Sequence, residues 1–80
     1  MKKTVRAAVM RAIQIKGSEQ ALAEACGVTQ PAIHKAKKLG RVSVDLAKEI
    51  HRVTGGEVPG SDLRPDVWVH PDHVPVQVSA

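Results

Sequence analysis

Six side chains within twelve positions, Gln30, His34, Lys35, Lys37, Lys38 and Arg41, carry most of the chemistry this chain offers. An amide, an imidazole and four cations form hydrogen bonds and attract anions. If the chain is helical from about Thr29 to Leu39, Ala32, Ile33 and Ala36 recur on an inward face, while Gln30, His34, Lys35, Lys37 and Lys38 turn outward. A glutamine can pair bidentately with adenine, a histidine can donate to guanine N7 or O6, and Lys35 can reach guanine as well. Pro31 offers apolar contact alone, for instance to a thymine methyl. Gln30, Pro31, His34 and Lys35 therefore form a candidate base-reading set. Lys37, Lys38 and Arg41, with the helix N-terminal ends near Ser18 and Thr29, form a candidate phosphate-binding set.

Such a face needs a scaffold, and Gln20 to Lys38, QALAEACGVTQPAIHKAKK, has the spacing of a helix, a tight turn and a second helix. Leu22, Ala23 and Cys26 would point inward, with the small Ala23 letting the second helix cross closely. Gly27 can enter the left-handed conformation that ends a helix, and Val28 can fold back as an apolar plug. Thr29 can cap the next helix, and Pro31 is tolerated in its first turn, where amides lack intrahelical partners. The plain alternative is a helical hairpin with a solvated polar face. Against it stands the joint occurrence of a small residue at the crossing, a glycine turn, a plug, a cap and a basic outward face.

Around this pair the pattern continues in helices. Val5, Ala8, Val9, Ala12 and Ile13 give Thr4 to Ile15 an amphipathic stripe, with Lys3, Arg6 and Lys16 on its basic side, near phosphates or simply solvated. Gly17 should stop that helix and Ser18 cap the next; Leu39-Gly40 should end the recognition helix. Ser43 should cap a further helix to about Thr54, with Leu46, Ala47, Ile50 and Val53 inward and Gly55-Gly56 after it. From Glu57 onward Pro59, Pro65, Pro71 and Pro75 exclude a long helix. Residues 1–56 thus read as a DNA-binding domain and 57–80 as an arm, in which Ser61 to Arg64 makes one turn and Leu63, Val67 and Trp68 close the core. Val74, Val76 and Val78 alternate as in a strand able to pair with a second copy, whereas the flanking prolines argue equally for disorder.

Charge and composition narrow the function classes. The 80 residues leave room for one modest core, built without Phe or Tyr. Residues 1–56 carry eleven Lys and Arg against four Asp and Glu, a net of +7, while 57–80 carry one against four, a net of −3. That excess attracts polyphosphate without sequence preference. A ribosomal or membrane-surface role would want a longer basic run or a more apolar helix face. No stretch approaches the roughly 20 apolar residues of a membrane span, and a cytoplasmic protein is expected. Cys26 is the lone cysteine and reads as a small buried side chain. His70, Asp72 and His73 lack a fourth ligand at recognised spacing, so no metal and no cofactor is expected. The scattered acids form no nucleophile and base arrangement, so an enzyme is not expected either.

Gly17 to Gly40, GSEQALAEACGVTQPAIHKAKKLG, resembles the helix-turn-helix of phage Cro repressors and of the related YdaS-type antitoxins. After the turn Cro-like proteins read Gln, a small residue, Ala, Ile, a polar residue and Lys, as Gln30 to Lys35 does. Gly55 to Trp68, GGEVPGSDLRPDVW, resembles the segment after the last helix of YdaS-like proteins. The two matches cover most of residues 1–68. Pro31 departs from a small polar base-contacting residue and His34 from Asn or Ser, so no operator sequence carries over.

The resemblance implies an all-α, four- to five-helix, lambda-repressor-like domain with an extended C-terminal arm. It implies a repressor that binds operator half-sites in duplex DNA as a homodimer, either a phage regulator or an antitoxin controlling its own operon. The contrasting expectation is a protein-interaction module whose tail captures a partner such as a toxin, with DNA binding secondary.

Overall fold

The structure, a computed structural model, describes residues 4–68, and these form five helices with no strand among them. They are α1 (Val5–Lys16), α2 (Glu19–Cys26), α3 (Gln30–Leu39), α4 (Val44–Val53) and the single turn α5 (Gly60–Leu63). Each of the first four starts on a hydroxyl: Thr4, Ser18, Thr29 and Ser43 accept from Ala7, Ala21, Ala32 and Leu46 N–H respectively. A capping hydroxyl of this kind contributes about 1 kcal/mol to its helix. Gly17, Gly27 and Gly40 end the first three in left-handed conformations.

One core serves all five elements. Val9 and Ala12 of α1, Leu22 and Ala23 of α2, Ile33 and Ala36 of α3, and Ala47 and Ile50 of α4 are buried in it. α2 packs on α1 and α3, and α4 on α2 and α5. Cys26 is buried among these side chains, and burial pushes its thiol up to about 11. It is a packing residue, because the nucleophilic thiolate is suppressed.

The remaining open side is closed by Val58, Leu63 and Trp68, all buried. His51 of α4 and the residue that caps it, Thr54, fasten this segment: Thr54 Oγ1 accepts from Val58 N–H at 3.2 Å and His51 Nδ1 accepts from Gly60 N–H at 3.0 Å. Burial lowers the pKa of His51, in keeping with the neutral ring this acceptor role requires. Arg64 adds a third fastening, donating to the Val42 carbonyl at 3.2 Å while its other nitrogens hold Asp66.

Val67 departs from expectation. It is 44 % exposed rather than part of the core. Val67 and Trp68 both donate backbone N–H groups to the Arg64 carbonyl, and the turn so formed sends the indole inward and the valine out.

Candidate nucleic-acid interface

The turn between α2 and α3 is built by local chemistry. Gly27 adopts φ 73° and ψ 28°, and Val28 N–H reaches back to the Ala23 carbonyl at 2.9 Å. This satisfies a carbonyl at the end of α2 and folds Val28 onto the core, as a glycine at this position permits. α3 then leaves with Ile33 and Ala36 buried beneath it.

The opposite face of α3 is open. Gln30, Pro31, His34, Lys35 and Lys38 are exposed, as are Arg41 just beyond the helix and the two cap residues Ser18 and Thr29. Lys37 is half-buried. Shallow grooves flank the helix: one of about 400 Å³ lies against Arg6, Met10, His34, Lys37 and Lys38. Another of about 240 Å³ lies against Lys35, Leu39 and Arg41. The caps limit what helix N-termini can give an anion. Pro31 has no N–H and Ala32 N–H is already held by Thr29, so the start of α3 has little backbone left for phosphate.

Glu19, the first residue of α2, gathers three of the candidate residues. Gln30 Nε2 donates to Glu19 Oε1 at 2.6 Å, while the Lys37 ammonium and, at 3.4 Å, His34 Nδ1 meet Oε2. The Glu19 side chain is 17 % exposed, so the carboxylate lies behind its partners rather than in open solvent. The Lys37 hydrogen bond holds the Glu19 carboxyl below its usual pKa, with Gln30 and His34 acting the same way against partial desolvation. Lys35, Lys38 and Arg41 are outside this cluster.

Arg6, expected either near phosphates or simply solvated, is instead bonded to the backbone of α3. Its guanidinium donates to the carbonyls of Lys37 and Lys38 at 3.1 and 2.9 Å, closing the C-terminal end of α3. Sequence reasoning missed both Glu19 and this use of Arg6. Glu19 lies eleven positions before Gln30, and only the crossing of the two helices brings them together. The signal available was that each opens its helix.

Val74, Val76 and Val78, considered for dimerisation, and His70, Asp72 and His73 lie outside the described residues. Within them no group of three His, Cys, Asp or Glu is placed to hold a metal ion, and no helix is long and apolar enough to cross a membrane.

The likeness to known proteins agrees with this architecture. The family described as Bacterial toxin YdaS matches residues 9–71. Among solved structures, the Cro protein from the prophage element Xfaso 1 of Xylella fastidiosa strain Ann-1 is similar, at 44 % sequence identity and a TM-score of 0.73. The similarity covers 76 % of this chain and 94 % of that one. No curated protein matches. A five-helix body on the plan of a Cro protein, with the family match running from α1 past Trp68, means that the chain belongs to the YdaS family.

Proposed function

We propose that the protein is a sequence-specific duplex-DNA-binding repressor of Cro type that lays α3 in the major groove and acts as a homodimer. The observation that carries this reading is the open face of α3, on which Gln30, Pro31, His34 and Lys35 lead into Lys38 and Arg41. At ~1.5 Å per residue the ten residues of α3 offer ~15 Å of helix to lie along a major groove whose width, ~12 Å, matches the ~10–12 Å diameter of a helix with its side chains. Gln30, His34 and Lys35 read base edges, Pro31 supplies apolar contact, and Lys38 and Arg41 hold phosphates with the hydroxyls of Ser18 and Thr29, Lys37 joining them only where it leaves Glu19.

A single small module buries only about 600–1,000 Å² on DNA, so two copies on half-sites about one helical turn apart give useful affinity. Similarity to a prophage Cro protein supports the reading, and occupancy of a promoter suffices for repression. The family's description as a toxin supports a second reading, a member of a toxin and antitoxin pair whose function is to bind a partner protein.

A gel-shift series on genomic fragments at two salt concentrations separates them. Retention of selected fragments with steep salt dependence is the repressor result. Tight association with a co-purified protein, without fragment retention, is the interaction-module result.

A further inference from the structure

Building on the proposal that α3 reads DNA, we propose that Glu19 is a specificity-determining positioning residue that makes Gln30 a reader of adenine and withholds Lys37 from non-specific phosphate binding. Glu19 presents a carboxylate to its neighbours. Ionised, it accepts hydrogen bonds and donates none. The group of Gln30 that faces Glu19 Oε1 at 2.6 Å is therefore the NH2, and flipping the amide would set oxygen against oxygen.

One N–H of Gln30 is thus taken. What remains is one N–H and the carbonyl oxygen, the pair that adenine N7 and the N6 amine require. Guanine offers two acceptors, N7 and O6, and needs both N–H groups of a glutamine. A free Gln30 serves either base; a Gln30 held by Glu19 serves adenine. The His34 contact adds the same bias. With Nδ1 toward Glu19 Oε2 at 3.4 Å, a neutral ring carries its proton on Nδ1 and leaves Nε2 an acceptor, suited to the amines of adenine or cytosine rather than to guanine.

The same carboxylate neutralises Lys37. Its Nζ sits on Glu19 Oε2, so a phosphate gains this ammonium only by displacing the carboxylate. Lys35, Lys38 and Arg41 face no such competitor in the cluster. Glu19 thereby lowers attraction to DNA of any sequence more than attraction to the correct one, and specificity is this difference of affinities.

Two variants, tested on duplexes selected from a random pool and on the unselected pool, separate the parts. Glu19→Ala removes both the acceptor and the charge; adenine enrichment opposite Gln30 should relax to include guanine. Glu19→Gln is close in shape and keeps one amide oxygen to accept from Gln30, so the adenine preference should persist. Both should bind the unselected pool more tightly, by up to about fivefold as for a surface ion pair. Both should also show a salt slope steeper by ~0.9, the share of one freed phosphate contact. Loss of folding alone would not steepen that slope, and far-UV circular dichroism checks that the helices are kept.

If the parent selects a consensus and both variants keep its base preferences and slope, the role of Glu19 is overturned while DNA reading stands. If the parent selects nothing, DNA reading fails and the Glu19 proposal with it.

Discussion

Arg6 Nη2 donates to the Lys38 carbonyl oxygen at 2.9 Å, joining the first turn of α1 to the last turn of α3 across 32 positions of sequence. The last carbonyls of a helix lack intrahelical partners and form the negative end of its dipole. A guanidinium satisfies two of them at once and fixes the angle at which α3 leaves the body. Arg6→Ala should therefore cost about 1 kcal/mol in urea denaturation, a value reduced by the exposure of the site. Arg6→Lys should recover little of it, because an ammonium cannot span both oxygens with a planar fork.

Lys37 and Lys38 are adjacent in sequence and differ in company. Lys38 is exposed, whereas Lys37 is paired with Glu19. Lys38→Ala should weaken binding to selected and random duplexes alike and reduce the salt slope by ~0.9. Lys37→Ala should change the slope less, because the wild-type ammonium is already partly neutralised. Salt titrations of fluorescence anisotropy compare the two directly.

His51 ties stability to pH. Its Nδ1 must stay unprotonated to accept from Gly60 N–H, and burial holds its pKa below the ordinary 6.5. Between the lowered folded value and 6.5 the unfolded chain binds the proton more readily, so stability is complete above 6.5 and falls as pH drops below it. Thermal melts over a pH series should show that decline. His51→Gln, whose amide oxygen can still accept, should flatten it; an unchanged pH dependence would assign the titration to another group.

Much of the fold was legible because its signals are local. A capping hydroxyl bonds three residues ahead and a terminal glycine bonds a few residues back, so Ser18, Thr29, Ser43, Gly27 and Gly40 announce helix ends without knowledge of packing. Apolar spacing likewise identified Val9, Leu22, Ile33 and Ile50 as core. Val67 was misread as closing the core beside Leu63 and Trp68, because apolar character alone does not reveal a turn closed on the Arg64 carbonyl. Val58 went unnoticed because its burial depends on Thr54 Oγ1 holding its backbone.

At the candidate interface the exposed residues of α3 were legible, since helical period alone separates them from Ile33 and Ala36. Their mutual wiring was not. Glu19 bonds across eleven positions and Arg6 across more than thirty, and such contacts are set by helix crossing rather than by spacing.

Base reading by α3 is tested most directly by selection from a random duplex pool with the parent protein and with Gln30→Ala, followed by affinity measurement on the winning duplex. The parent should enrich a two-fold symmetric consensus with half-site centres about 10 base pairs apart. Gln30→Ala should lose preference at one position per half-site and about 1–3 kcal/mol on that duplex, with little change on random DNA. Enrichment of the same consensus at the same affinity by the variant, or no enrichment by the parent, would contradict the account.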